Sequence, residues 1–184
     1  MRDREKRLAA DLYAMTYLQS ISTSFVQEGD LNSLLDDVIE AAIIMVGANK
    51  GTLQLINPDS EALEIVAQRG FDQSYIDFFS SVTHGSAAVC ASAFHQGKRV
   101  IVDDVTNSPI FIDTPALEVQ LAAGVRTVQA TPLIDRRGKI IGMLSTHWSK
   151  PQLHLDENDL RYIDLLARQH RPAEVLFERS NRKS

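Results

Sequence analysis

Alternating apolar and polar residues in 124–148 predict a β-hairpin. Side chains alternate between two sides over 127–131, and β-branched or apolar residues return over 140–148. The turn between them reads Asp-Arg-Arg-Gly, and arginine is poorly suited to a two-residue turn in which both central residues need a positive φ. We therefore expect a three-residue loop with Gly138 in the left-handed conformation, accompanied by a bulge.

This loop pairs Asp135 with Lys139 and so sets the register of the hairpin. Counting outward predicts that polar residues share one face of the sheet, with Thr127 opposite His147 and Gln129 opposite Ser145. The other face would carry Val128 opposite Thr146 and Ala130 opposite Leu144. A solvated face is the alternative for an antiparallel hairpin. At least four amphipathic segments must be covered, however, so we expect helices on both faces.

Helical periodicity and turn residues predict the other elements. They are a long amphipathic helix ending near Gly29, a helix from the N-cap Asp30 to Gly47, a hairpin of 52–56 and 63–68, short helices within 71–82 and 86–96, a strand over 100–105, a helix between Thr114 and Gly124, and a terminal helix capped by Asp156. Two hairpins require antiparallel pairing, so the fold class is α+β with a central sheet. Pro172 predicts a kink or an end in the terminal helix.

Composition narrows the class of protein. The chain has 184 residues, 44% of them hydrophobic, which suits one domain with extensions. The longest apolar run, 41–48, is too short to span a bilayer, so we expect a cytoplasmic protein without membrane insertion. The single cysteine, Cys90, excludes an internal disulfide. A net charge of −5 argues against nucleic-acid binding.

The segments 85–111 (GSAAVCASAFHQGKRVIVDDVTNSPIF) and 122–148 (AAGVRTVQATPLIDRRGKIIGMLSTHW) resemble a GAF domain. In that family an alanine-rich helix precedes a V-x-V-x-D-V strand, and a PL-x-x-x-x-G-x-x-G-x-L hairpin closes the sheet. The resemblance covers roughly Asp30 to Arg168. It implies five to six antiparallel strands, terminal helices on one face, and short helices with a small-molecule pocket on the other. It also implies a sensory role, since such domains often begin histidine kinases, cyclases and phosphodiesterases.

The resemblance makes the polar hairpin face the floor of that pocket. The predicted ligand-binding residues are Thr127, Gln129, Ser145 and His147 on the floor, with Tyr75, Phe79, Cys90, Phe94 and Phe111 above and Asp103 at the edge. Only one of the adjacent Asp103 and Asp104 can face the pocket, because neighbouring strand residues point to opposite faces. The alternatives are that the aromatic residues are ordinary core, and that His147 is a sheet histidine hydrogen-bonded to Thr127.

Specialised chemistries of the family fit these residues poorly. Cyclic-nucleotide binders carry an N-K pair, present here as Asn49-Lys50, and then F-x-x-x-D-E, where this chain has Gln152 in place of phenylalanine. Free methionine sulfoxide reductases exchange thiols and need two cysteines. Bilin binders attach the chromophore to a cysteine commonly followed by histidine, whereas Cys90 precedes alanine. We expect no enzyme activity, and the residues identify no cofactor.

Two kinds of metal site can be tested on the histidines of this chain, a zinc site and a haem site. His84, Cys90 and His95 are plausible zinc ligands, but residues 90 and 95 lie about 140° apart around a helix and do not converge. His147 would be the axial ligand of a haem. We expect no metal site.

The expected function is a sensory domain, of the type found in histidine kinases, that binds a small ligand and relays the signal through its terminal helices. Residues 1–29 form a signalling and dimerisation helix, 30–170 the GAF domain, and 171–184 a linker helix or tail. The near-heptad stripe of the first helix predicts a homodimer formed by this helix and the terminal helix from Asp156. The alternative is that both helices cover the sheet of their own subunit. The dimer would act on an effector domain outside these 184 residues or as a free-standing protein. The alternatives are a ligand-free dimerisation scaffold and, less favoured, a reductase.

Overall fold

A computed structural model of the chain describes residues 4–5, 8–9, 11–12, 15–16, 31–151, 155–168 and 177–178. The predicted end of the first helix near Gly29, the N-cap Asp30 and the kink at Pro172 lie outside these residues. Most of the predicted first helix also lies outside them, although the described residues between 4 and 16 are helical.

The described chain forms five strands and five α-helices in the predicted order. They are α1 (Leu31–Val46), β1 (Lys50–Ile56), β2 (Leu63–Arg69), α2 (Gln73–Phe78), α3 (Val89–Gln96), β3 (Val100–Val102), α4 (Pro115–Ala122), β4 (Thr127–Ile134), β5 (Ile140–Trp148) and α5 (Glu157–Arg168), with a 3-10 turn at Val105–Asn107. The strands pair antiparallel in the order β2-β1-β5-β4-β3. The α+β fold with a five-stranded antiparallel sheet is therefore confirmed.

Each face of the sheet has its own apolar core. Helices α1 and α5 pack on one face against side chains such as Leu53, Leu144 and Trp148. Helices α2, α3 and α4 cover the opposite face, where Val128, Ala130 and Met143 are buried. We call these the helix face and the cavity face. Long helices on one side and short ones on the other agree with the prediction.

The turn of the β4–β5 hairpin has the predicted conformation. Asp135 N–H donates to the carbonyl of Lys139 (2.8 Å), and Gly138 has a φ of +81°. The register beyond the turn is shifted by one residue from our prediction. Ile134 pairs with Ile140, but Leu133 pairs with Gly142, so one extra residue of β5 is inserted there. A bulge of this kind reverses the faces of every residue beyond it.

The predicted pairs Thr127–His147 and Gln129–Ser145 are therefore wrong. Val128 pairs with His147 and Ala130 with Ser145, which places these two polar residues on the cavity face. Thr127 pairs with Trp148 and Gln129 with Thr146, which places Thr127 and Gln129 on the helix face. The alternative role of His147, a hydrogen bond to Thr127, is excluded by the same register.

Two predicted elements are shorter than expected. The strand predicted over 100–105 ends at Val102, because Asp104 accepts hydrogen bonds from the N–H (3.0 Å) and hydroxyl (2.8 Å) of Thr106 and so begins the 3-10 turn. The helix predicted within 71–82 spans only 73–78. Among the described residues, no helix combines the length and apolar character needed to cross a membrane.

Candidate ligand site

A narrow cavity lies on the cavity face, between the centre of the sheet and the short helices. Its volume is about 20 Å³, counted as the space open to the centre of a water molecule. Its lining comes from β1, β2, β4, β5 and the three short helices with their caps: Thr52, Gln54, Ile65, Tyr75, Phe79, Ala88, Val89, Cys90, Gln120, Val128, Ser145 and His147. None of these twelve side chains carries a formal charge at neutral pH.

Helix α2 positions the aromatic wall of the cavity. Asp72 caps this helix by accepting a hydrogen bond from Tyr75 N–H (3.0 Å), which orients the first turn toward the sheet. The Tyr75 ring stacks on Phe71, with 3.8 Å between ring centroids, and lies 4.7 Å from that of Phe79. Phe71 also meets the imidazole of His147 edge to face at 4.9 Å. Aromatic contacts therefore hold the histidine ring in one orientation.

A buried hydrogen-bond chain joins α4 to β5. Gln120 Nε2 donates to the Tyr75 hydroxyl (3.3 Å), and that hydroxyl lies 3.4 Å from Nε2 of His147. If the hydroxyl donates to Nε2, the tyrosine O–H has an acceptor and Nδ1–H of His147 has none. The other tautomer would leave both the tyrosine O–H and Nδ1 without partners when Gln120 Nε2 donates to the hydroxyl. With the Gln120 amide in this orientation, the hydrogen bonds therefore favour the tautomer with its proton on Nδ1.

Three buried polar atoms around this cavity have no hydrogen-bond partner among the described residues. They are Oε1 of Gln120, Oγ of Ser145 and Nδ1 of His147. Each residue is only 3% exposed, so bulk water does not serve these atoms. A buried polar group without a partner costs about 1–3 kcal/mol. Three unsatisfied polar groups around one cavity are typical of a site that binds a water molecule, an ion or a small ligand.

Burial keeps the titratable groups of the cavity neutral. Desolvation lowers the pKa of His147 to about 3, with a further contribution from the charge of Lys50 and partial opposition from the Lys50 backbone. Burial raises the pKa of the Cys90 thiol to about 11, partly opposed by hydrogen bonds from the Ala91 backbone and the Gln54 side chain. Desolvation also raises the pKa of Tyr75, which the hydrogen bond from Gln120 partly opposes. The site therefore has hydrogen-bonding capacity without charge.

Half of the ten predicted site residues line this cavity. Tyr75, Phe79, Cys90, Ser145 and His147 are brought together there. Whether these residues bind a ligand remains a prediction.

The other five predicted site residues lie away from the cavity. Phe94 stacks on His84 at 4.4 Å between ring centroids. Phe111 is fully buried in the core of the cavity face without lining the cavity. Asp103 is exposed, and its carbonyl accepts from the Thr127 hydroxyl (2.7 Å). Thr127 and Gln129 are misplaced by the register error described above.

On the helix face, Gln129 belongs to a second polar network. With its amide oriented to satisfy both ends, the nitrogen donates to the Thr146 hydroxyl (2.9 Å) and the oxygen accepts from Thr131 N–H (2.8 Å). Arg99 Nε donates to the Thr131 hydroxyl (2.8 Å) and its guanidinium forms an ion pair with Asp164 of α5. Strand β5 is thereby connected through polar side chains to the last described helix.

The fold does not bring the three candidate zinc ligands, His84, Cys90 and His95, to a common point. The rings of His84 and His95 are 6.0 Å apart, and His84 is engaged with Phe94. Cys90 lines the cavity instead. Within the described ranges, no three histidine, cysteine or acidic side chains are grouped as metal ligands.

Sequence reasoning missed Thr52, Gln54 and Gln120. The first two alternate with Leu53 and Leu55 on β1, and in a sheet covered on both faces such polar positions must be buried. Gln120 interrupts the apolar composition of α4 and is 3% exposed. A glutamine in a mostly apolar helix could have been recognised in the sequence as a candidate cavity residue.

Comparison with known proteins identifies the fold family. A profile of the GAF domain family matches residues 28–171, which is most of the chain. The chain belongs to the GAF domain family. GAF domains are sensory and regulatory domains found in signalling proteins, and this GAF domain has their sheet and helix arrangement. A search of proteins with curated functions gives no match.

Solved GAF structures resemble this one at low sequence identity. The GAF domain of a phosphoenolpyruvate-protein phosphotransferase from Coxiella burnetii has a TM-score of 0.72 at 16% identity, with 94% of this chain and 98% of that chain covered. Free methionine-R-sulfoxide reductase from Neisseria meningitidis has 0.68 at 23% identity, covering 96% and 94%. A domain of a two-component sensor histidine kinase from Sinorhizobium meliloti has 0.64 at 15% identity, covering 83% and 96%. Identities this low establish the fold alone.

Proposed function

We propose that this chain is a non-enzymatic sensory GAF domain that binds a small molecule in the cavity and relays binding through its terminal helices. The observation that carries the proposal is the group of three unpartnered polar atoms, on Gln120, Ser145 and His147, around one cavity. A ligand that hydrogen-bonds to these atoms recovers the free energy lost when they were buried. The rings of Tyr75 and Phe79 supply apolar contact, as in most small-ligand sites.

The route of the signal is supported by the central position of β5. Ser145 and His147 face the cavity, while Thr146 between them faces the helices and contacts Gln129. A ligand that displaces this strand would therefore also displace the hydrogen-bond network of Gln129, Thr131 and Arg99. That network ends on α5 at Asp164. Relay to α5 requires two arrangements of that network, which hydrogen exchange with and without ligand would detect.

Assembly as a homodimer is supported by the N-terminal helical segment. Leu8, Leu12 and Met15 are 67–71% exposed and are spaced four and three residues apart, as in a coiled-coil seam. Asp11, which borders this stripe at three residues from Leu8 and four from Met15, accepts a hydrogen bond from the Tyr162 hydroxyl of α5 (3.0 Å). A second copy would cover the exposed stripe, as we propose for a cytoplasmic signalling protein of the histidine kinase type.

The competing proposal is a dimerisation scaffold that binds no ligand. It is favoured by the narrowness of the cavity, since 20 Å³ suffices for one ordered water. A reductase is disfavoured because the chain has one cysteine, and thiol exchange within one chain requires two.

Native mass spectrometry of freshly purified full chain, with an absorption spectrum, separates these proposals. We expect a dimer with additional mass that is lost on denaturation. Ser145→Val should abolish the additional mass, whereas Ser149→Val, at an exposed position beyond β5, should retain it. A bare polypeptide mass, together with no thermal stabilisation by any fraction of a small-molecule extract, would establish the scaffold instead.

The dimer interface is tested by analytical ultracentrifugation. Leu12→Asp places a charge in the apolar stripe and should shift the protein to monomer. Ala9→Asp adds the same charge at an exposed position off that stripe and should leave the dimer intact. A monomeric wild-type protein, or equal effects of the two variants, would contradict the proposed interface.

A further inference from the structure

The polar atoms of the cavity define what a ligand must offer, provided that the proposed function is right and the cavity binds a ligand. In the tautomer in which Nε2 accepts from the Tyr75 hydroxyl, Nδ1–H of His147 needs an acceptor. Oε1 of Gln120 needs a donor, because the nitrogen of the same amide is committed to Tyr75. Ser145 Oγ can act in either sense. A single ligand must therefore present an acceptor and a donor together.

The lining also excludes a charged ligand. All twelve lining side chains are formally neutral. Lys50, which pairs with His147 across β1 and β5, does not line the cavity, and its ammonium donates to the Gly70 carbonyl and lies over the Phe71 ring. A carboxylate or ammonium group enclosed here would have no counter-charge, and burying an ion without one costs far more than burying a neutral polar group.

The size of the cavity sets the third condition. The space that a water molecule can reach, about 20 Å³, is little more than one water needs, so the ligand has only a few non-hydrogen atoms enclosed between strand and helix. We propose that the cavity recognises a small uncharged carboxamide group, whose carbonyl accepts from His147 Nδ1–H and whose N–H donates to Gln120 Oε1. The group can be a free small amide or the amide end of a larger molecule.

Three probes of nearly equal shape test this inference on the full chain. Acetamide offers a donor and an acceptor, acetone offers only the acceptor, and acetate replaces the donor with a charge. Each is titrated while the side-chain nitrogen resonances of ¹⁵N-labelled histidine are followed. Before any addition, the His147 pattern should be that of a neutral ring with its proton on Nδ1. Acetamide should then shift it saturably and bind at least about fivefold more tightly than acetone or acetate, since each of those leaves the buried Gln120 acceptor unpaired.

A matched pair of variants tests whether Gln120 recognises the N–H donor of the ligand. Gln120→Leu should make acetamide and acetone bind equally, while Gln96→Leu, the same change at an exposed position of α3, should preserve the preference. Tighter binding of acetate would overturn the amide assignment and leave the proposed ligand site standing. If no probe shifts His147 and the purified protein retains no ligand, ordered water satisfies the three atoms, and both the inference and the proposed function are wrong.

Discussion

The buried His147 should make the stability of this protein fall in mildly acidic solution. Its pKa is lowered to about 3, chiefly by desolvation, whereas an unfolded histidine titrates near 6.5. Between these values the unfolded chain binds a proton that the folded chain does not. The stabilisation is thus complete above the unfolded pKa and is lost as the pH falls through that window.

The magnitude follows from the two pKa values. Each pH unit across the window costs about 1.4 kcal/mol per proton, so acidification from about pH 7 to about pH 4.5 should remove about 2–3 kcal/mol. Tyr75 and Cys90, which share the cavity with His147, have raised pKa values and stay neutral throughout this range. Neither group shares the transition of His147.

Urea unfolding at a series of pH values measures the effect. His147→Gln cannot titrate, so its free energy of unfolding should decline less than that of the wild type, by about 2–3 kcal/mol over the same interval. His95→Gln removes an exposed histidine and serves as the matched control. Parallel pH profiles for wild type and His147→Gln would refute the reasoning. Should His147→Gln not fold, the ¹⁵N resonances of His147 in the wild type report the same property, and protonation above about pH 5 would be the refuting result.

Three further predictions test the fold. Gly142→Ala should lower the free energy of unfolding by at least about 2 kcal/mol in urea, because a Cβ there would lie 2.1 Å from the Gln54 carbonyl oxygen of the neighbouring strand. Asp104→Asn should lower the melting temperature near pH 7 but not near pH 2, since hydrogen bonds from Arg126 lower the pKa of this carboxyl to about 2 and its contribution is lost as pH falls from 3.8. Arg99→Met should increase hydrogen exchange in α5 and leave that of α2 unchanged, because the guanidinium is bonded to α5.

The fold was predictable because its signals are local. Gly47, Gly97 and Gly138 all have positive φ, and the turn or helix end predicted at each is observed. Asp156 accepts from the N–H groups of Asn158 (2.7 Å) and Asp159 (2.9 Å), as expected of an N-cap.

The candidate site was only half predictable because it depends on a non-local detail. Period-two alternation shows which residues of one strand share a face, but the register is needed to tell which residues of the next strand share that face with them. The bulge beside Leu133 changes this register, and it is visible only in the pairing of β4 with β5. Ser145 and His147 therefore lie on the cavity face as predicted, but Thr127 and Gln129 were assigned to the wrong face. Gln120 was missed for a related reason, since it reaches Tyr75 only through tertiary packing of α4 on α2.

The alternation of β5 has a consequence for how this protein can diverge. Ser145 and His147 belong to the cavity, whereas Thr146 and Trp148 belong to the packing of the long helices. Substitutions at positions 145 and 147 can therefore alter the cavity without disturbing the surface that meets α1 and α5. Under the proposed function, a lineage could change the ligand that is bound while keeping the helices that relay the signal. Insertion or deletion of a single residue in this strand would exchange the two sets, so natural variation should favour substitution over length change here.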